Sequence, residues 1–218
     1  MRGAFLFFLV AFVLPAQAND FLASGRIENP STGGTCSAAL IAPDIIVTAA
    51  HCVSNEVAQE VKFRSGVPGS ELVQVERFVV HPFYRAFITQ RFRRLRFDIA
   101  VGKLAVPSPD ISVVPFQLGD VARPGEGLFL ASWRAHGGPR PRLRRCVVIE
   151  GQVLGVVTLG CRVRGGESGA PVLRLTSDGV ELVAVVNSTA RLEGRDVALA
   201  ADVRLRIDPL LVQLSQNP

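Results

Sequence analysis

Short apolar runs recur along the chain, separated by polar and turn-forming residues. In the first half they cover residues 36–41, 45–49, 61–64, 72–80, 99–105 and 113–118. In the second half they cover residues 127–133, 145–149, 153–159, 170–175, 180–187 and 197–203. Runs of this length and spacing, without a helical pattern between them, predict an all-β chain of antiparallel strands that form barrels or a sandwich.

Turn and helix signals complete this pattern. Hairpin turns are predicted at residues 150–152 and 177–179, where Gly151 and Gly179 can take the positive φ of a tight turn. One helix is predicted at about residues 207–216, after Asp208-Pro209. Its apolar face consists of Ile207, Leu210, Leu211 and Leu214.

The first eighteen residues have the pattern of a signal peptide. Arg2 precedes an apolar run from residue 4 to residue 14, and the small residues Ala16 and Ala18 fit a cleavage site after Ala18. The run is short for a membrane span, although an uncleaved anchor is the alternative. We therefore expect a secreted or periplasmic protein without stable membrane association after cleavage.

Export gives the four cysteines a simple interpretation. In an oxidising compartment Cys36, Cys52, Cys146 and Cys161 predict two disulfides, with three possible connectivities. None of them is spaced as C-x-x-C, which disfavours a structural zinc site or a thioredoxin-type redox pair.

Composition and charge further restrict the class of protein. The 218 residues are 48% hydrophobic and 20% charged, which suits a chain with a buried core and excludes a disordered or collagen-like protein. Loss of Arg2 with the signal peptide lowers the formal net charge from +5 to +4. At that charge, the arginine-dense stretches 91–96 and 134–145 are interpreted as solvated loops, and no nucleic-acid partner is expected.

Three separated segments carry the residues of nucleophilic catalysis. They are Thr48-Ala49-Ala50-His51-Cys52, Phe97-Asp98-Ile99-Ala100-Val101 and Gly165-Gly166-Glu167-Ser168-Gly169-Ala170-Pro171. A serine nucleophile needs a base, a carboxylate that orients the base, and N–H donors for the oxyanion. Ser168 supplies the nucleophile, His51 the base and Asp98 the carboxylate. Gly166 and Gly169 would let the backbone bend so that the N–H groups of Gly166 and Ser168 converge.

These segments resemble those of the trypsin/chymotrypsin-like serine proteases, whose triad follows the same order of His, Asp and Ser. The resemblance runs from about Cys36 to the terminal helix. It implies two six-stranded antiparallel barrels, one in residues 19–110 with His51 and Asp98, and one in residues 111–218 with Ser168. It also implies that Cys36 pairs with Cys52, which leaves Cys146 for Cys161. The second bridge is more similar to those of a bacterial secreted subgroup.

One position departs from the family pattern. Glu167 stands before the serine, where the family usually has an aspartate that receives a new N-terminus after propeptide cleavage. Residues 26–29 only faintly resemble that cleavage site and lie too close to His51. We therefore expect no activation by a new N-terminus. The carboxylate of Glu167 must then pair with another cation or be exposed to solvent.

Substrate preference is open at this point. The residue six before the serine lies in the family's primary specificity pocket, and here it is Arg162, which would favour acidic substrates. The alternative is a solvent-facing arginine, with the pocket among Val163, Asn187 and Thr189. Residues 186–189 resemble the strand edge that binds substrate backbone.

The resemblance implies a monomeric serine endopeptidase that acts on protein or peptide substrates through an acyl-enzyme, without metal or organic cofactor. His81 and His136 are interpreted as surface residues and not as metal ligands, because no partner lies at metal-site spacing. The alternative function is a catalytically silent module that binds an anionic partner through its arginine-rich loops.

Overall fold

The computed structural model describes residues 18–110, 112–134, 138, 140–149 and 155–216. The signal-peptide prediction up to residue 17, His136 and the turn predicted at 150–152 lie outside these ranges. The strands are β1 Ser24–Asn29, β2 Gly34–Ala42, β3 Ile45–Thr48, β4 Lys62–Arg64, β5 Val73–Val80, β6 Ala100–Leu104, β7 Gln117–Leu118, β8 Gly127–Ser132, β9 Arg142–Val147, β10 Val156–Leu159, β11 Pro171–Thr176, β12 Gly179–Leu192 and β13 Arg195–Asp202. The α-helices are α1 Pro82–Ala86, α2 Arg91–Leu95 and α3 Asp208–Gln216.

The first six strands form a closed antiparallel barrel in the order β1-β2-β3-β6-β5-β4. Closure depends on β1, which pairs with both β2 and β4, so that Ile27 faces Cys36 on one side and Phe63 on the other. The sequence pattern missed β1, because Ile27 is flanked by Arg26 and Glu28 and the segment offers no apolar run. Barrel closure, a long-range interaction, stabilises this strand.

The second sheet has the order β10-β13-β12-β11-β8-β9, and β7 pairs in parallel with β12. The strand pairing of this sheet forms a half-barrel, whereas a full barrel was predicted. Its two end strands are joined by the bridge between Val148 and Leu159 and by the Cys146–Cys161 disulfide. β7 is shorter than the predicted 113–118, because Pro115 cannot donate a ladder hydrogen bond. The all-β class and the division into two β-sheet units are confirmed.

The helix predicted at the end of the chain is confirmed as α3, which buries Leu210 and Leu214. The sequence pattern missed α1 and α2, since each spans only five residues and shows no full helical period. No helix among the residues described here is long and apolar enough to cross a membrane.

His81 was predicted at the surface, and that prediction was wrong. Its side chain caps α1 by accepting a hydrogen bond from Phe83 N at 3.3 Å, and its ring lies 4.8 Å from that of Phe97. The residue is only 5% exposed. Burial, together with the nearby positive charge of Arg206, lowers the pKa of His81 to about 4.

The core has two parts. One hydrophobic cluster fills the first barrel and continues onto the outer face of the second sheet, where Ala131, Leu173 and Leu182 are buried. The other fills the interior of the second sheet around Leu128 and Leu159. Because the first cluster is shared, the two bodies pack directly against each other, and residues from both can meet at their junction.

Candidate active site

His51 and Asp98 come together because His51 follows β3, Asp98 precedes β6, and these two strands are neighbours. β3 ends at Thr48, β6 begins at Ala100, and these two residues are paired in the ladder. His51 lies in the short 3₁₀ turn Ala50–Cys52, and Asp98 lies just before β6. The same ladder therefore positions both side chains at one edge of the first barrel.

The contacts between them fix the imidazole. Asp98 Oδ2 lies 2.8 Å from His51 Nδ1, and Asp98 Oδ1 accepts a hydrogen bond of 2.8 Å from the backbone N–H of His51. Asp98 is 4% exposed. An ionised carboxylate only accepts hydrogen bonds, so the proton of a neutral imidazole is held on Nδ1. His51 Nε2 is then the nitrogen that can accept a proton.

Ser168 reaches this edge through β2. The backbone N–H of Ser37 donates to Ser168 O at 2.7 Å, and Thr48 Oγ1 donates to Ser37 O at 2.8 Å. The residue before Ser37 is Cys36, which is bonded to Cys52, the residue after His51. One hydrogen bond and one disulfide thus connect the serine loop to the histidine turn through adjacent residues of β2.

The loop around Ser168 needs its two glycines. Gly166 and Gly169 have φ of 85° and 80°, in the left-handed region that side chains disfavour. A Cβ at Gly169 would lie 2.0 Å from Ser37 O, so even a methyl group has no room. The N–H groups of Glu167 and Gly169 are bonded inward, to Arg164 O and Val186 O. An oxyanion site here would use the N–H groups of Gly166 and Ser168.

Glu167 has the cation that the sequence could not identify. Its side chain is fully buried and lies 3.0 Å from Nη2 of Arg144 and 3.6 Å from Nε of Arg134. Ser132 Oγ donates to it at 2.9 Å, and the backbone N–H of Arg164 donates at 2.7 Å. Both arginines belong to the stretch 134–145, which had been interpreted as a solvated loop. Part of that stretch therefore neutralises a buried carboxylate.

The residues predicted to bind substrate have the following contacts. The Arg162 side chain is 63% exposed and pairs with Asp196 at 3.4 Å. Asn187 Nδ2 donates to Leu95 O at 2.7 Å, and Thr189 Oγ1 donates to Val197 O at 3.1 Å. Arg162 thus has the contacts of a surface arginine, and its role in specificity stays a prediction.

Tyr84 is a neighbour of the site that the sequence reasoning did not select. It is buried, and burial together with the negative charge of Asp98 raises the pKa of its hydroxyl. The guanidinium of Arg94 lies 4.5 Å from the centre of its ring. A tyrosine in a short helix outside the three motifs gives no sequence signal for this placement.

A cleft of about 160 Å³ lies beside His51 and the Cys36–Cys52 disulfide, with Glu28 and Glu56 among its lining residues. The sulfur atoms of Cys36 and Cys52 and a ring nitrogen of His51 lie within 4.8 Å of one another. Because the two sulfurs are bonded to each other, they offer no thiolate to a metal. This grouping is a wall of the cleft.

Comparison with known proteins agrees with this architecture. The family model described as Trypsin matches residues 13–196. A trypsin from Sarcophaga bullata is 30% identical over 113 residues, which cover 49% of this chain and 42% of that protein. The chain thus spans under half the length of this curated relative. Since the family model matches most of the chain and its fold has the architecture described above, the protein belongs to the trypsin family.

Proposed function

We propose that the protein is a serine endopeptidase that hydrolyses peptide bonds with Ser168 as nucleophile, His51 as general base and acid, and Asp98 as the orienting carboxylate. Family membership supports a serine protease, and the geometry of the site supports these three roles. The observation that carries the proposal is the double contact of Asp98 with His51, which fixes the orientation of the imidazole.

The chemistry follows from this arrangement. His51 Nε2 takes the proton of Ser168 Oγ while the oxygen attacks the peptide carbonyl. The negative charge that develops on the carbonyl oxygen is stabilised by the N–H groups of Gly166 and Ser168. His51 then gives its proton to the leaving amine, which departs and leaves an acyl-enzyme. Water, activated by His51, releases the acyl group and restores the serine.

The decisive experiment compares wild type with Ser168→Ala in peptide hydrolysis and in labelling by a fluorophosphonate. We expect the variant to lose on the order of 10⁴-fold or more in kcat and to resist labelling, because the hydroxyl is the reacting group. Ser177→Ala is the matched control, since Ser177 lies in an exposed turn and contacts Asp178. Hydrolysis by Ser168→Ala at the wild-type rate would reject the assignment.

The cellular location and assembly state belong to the same proposal. The apolar leader and the two disulfides support export to the periplasm or medium, and the second bridge, Cys146–Cys161, supports the bacterial secreted subgroup. The family supports protein substrates. We propose a monomer, free of the membrane once the leader is removed. Mass measurement of the exported protein would identify the cleavage site after Ala18.

The second candidate, a silent module for an anionic partner, has one observation in its favour. Between residues 77 and 97 the chain carries six arginines and no acidic residue. Phe83 and Phe92 are also exposed in this segment, by 51% and 81%. Such a surface could bind an acidic partner. Wild-type protein that binds an acidic polymer but neither hydrolyses peptides nor reacts with the fluorophosphonate would favour this candidate.

A further inference from the structure

The carboxylate of Glu167 is a buried charge one residue before the proposed nucleophile. Its side chain has no solvent exposure. An ion removed from water in this way is stable only when cations and hydrogen bonds replace its hydration. The groups that supply this compensation therefore determine where the loop around Ser168 can lie.

Arg144 contacts this loop at two points. Its Nη2 atom lies 3.0 Å from Glu167 Oε2, and its Nη1 atom donates a hydrogen bond to the carbonyl oxygen of Arg162. One planar guanidinium thus holds both ends of the segment 162–167. A planar group with donors at fixed angles specifies position as well as charge.

The remaining contacts complete the cage around the carboxylate. Ser132 and Arg134 approach Glu167 Oε1 from the end of β8, while Arg144 projects from β9. These two strands are paired over their full length, with Ser132 opposite Arg142. The cage is therefore part of a rigid hairpin of the second sheet.

We propose that Arg144, assisted by Arg134, positions the Ser168 loop for oxyanion stabilisation through the buried Glu167. This inference rests on the proposed function and assigns Arg144 as a positioning residue of that reaction. With the guanidinium in place, Glu167 is anchored on one side of Ser168, and the bond from Ser37 N to Ser168 O anchors the serine itself. The N–H groups of Gly166 and Ser168 are then held in one orientation before substrate arrives.

Phe21 lies on the other side of β8 from the cage around Glu167. Phe21 packs against Phe129, with ring centroids 5.9 Å apart, and strand alternation places Phe129 and Ser132 on opposite faces. The cations at Glu167 are guanidinium groups of Arg134 and Arg144, which belong to the second sheet and the residues that follow β8. A liberated α-amino group, with a pKa of about 7.7–8.0, is not needed to order the loop.

The test compares Arg144→Ala with wild type, and Arg145→Ala is the matched control because Arg145 is an exposed neighbour on the same strand. We expect Arg144→Ala to lose on the order of 10²-fold in kcat, as when an oxyanion donor is removed, with KM changed far less. Labelling of Ser168 by a fluorophosphonate should slow in parallel. Millimolar guanidinium should restore part of kcat, which a general loss of stability would not allow. Arg145→Ala should keep wild-type kcat.

Two further measurements test the role of Arg144 if Arg144→Ala does not fold. Glu167→Gln preserves the shape of the side chain, and we expect the same selective loss of kcat. Wild-type kcat should also stay level from about pH 8 to about pH 10, beyond the range in which an α-amino group loses its charge. A loss of kcat over that range, together with loss of activity when the α-amine is acetylated, would overturn the inference. A folded Arg144→Ala with wild-type kcat would overturn it as well. If wild type itself neither hydrolyses peptides nor labels, the proposed function fails instead.

Discussion

Replacement of Asp98 by asparagine tests how the carboxylate controls the imidazole. Asp98 accepts two hydrogen bonds, one from the backbone N–H of His51 and one from His51 Nδ1. The backbone group can only donate, so the amide oxygen of the asparagine must face it. The NH₂ group then faces Nδ1 and donates to it, which moves the imidazole proton to Nε2. His51 then cannot accept the proton of Ser168.

The expected result is a large loss of rate with little loss of fold. We predict that Asp98→Asn lowers kcat by about 10⁴-fold, equivalent to about 5.5 kcal/mol of transition-state free energy. The free energy of unfolding should change by no more than about 2 kcal/mol, since one neutral hydrogen-bonding side chain replaces another of the same shape. Peptide hydrolysis gives kcat, and urea unfolding followed by tryptophan fluorescence of the buried Trp133 gives the stability.

Asp110→Asn is the matched control. Asp110 accepts hydrogen bonds from Ser65 and Ser70 in the first barrel and makes none to His51. Its replacement should change the stability modestly and leave kcat near that of wild type. If Asp98→Asn folds and its kcat lies within tenfold of wild type, the double contact does not fix the tautomer and the reasoning is wrong.

Three further perturbations have defined outcomes. Gly169→Ala should destabilise the protein by at least about 2 kcal/mol and lower peptidase activity, because it combines a left-handed φ with a contact of 2.0 Å to Ser37 O; a denaturant midpoint equal to that of wild type would contradict this. Acidification from about pH 6.5 towards pH 4 should lower the free energy of unfolding, by up to about 2 kcal/mol at pH 5, because the pKa of His81 is about 4 in the folded protein and 6.5 when unfolded, so that the unfolded state binds the proton first. His81→Asn should reduce this loss, and an equal acid sensitivity in the variant would assign it to other groups. Removal of the Cys36–Cys52 bridge, which closes a loop with a sequence separation of 16, should cost roughly 3 kcal/mol in urea unfolding, and an unchanged midpoint in the double serine variant would exclude that contribution.

The sequence alone determined the features that depend on local pattern. Apolar runs of four to nine residues predicted most strands, since burial of one or both faces of a strand leaves a local signature. The candidate residues His51, Asp98 and Ser168 could also be selected from local sequence, because each lies in a short segment whose residue types suit one chemistry. The glycines at 166 and 169 were selected for the same reason, and both have positive φ in the structure.

Only the tertiary structure determined the features that depend on closure and burial. β1 forms because it completes a ring of strands, and a polar segment with one isoleucine gives little sign of that. Arg144 meets Glu167 across 23 positions of sequence, and Asn187 meets Leu95 across 92. Arg144 lies on a strand and contacts a buried carboxylate, whereas Arg162 lies in the loop after β10 and is exposed, so composition could not distinguish the two. A buried ion pair is specified by the fold around it, and the sequence supplies only the two charges.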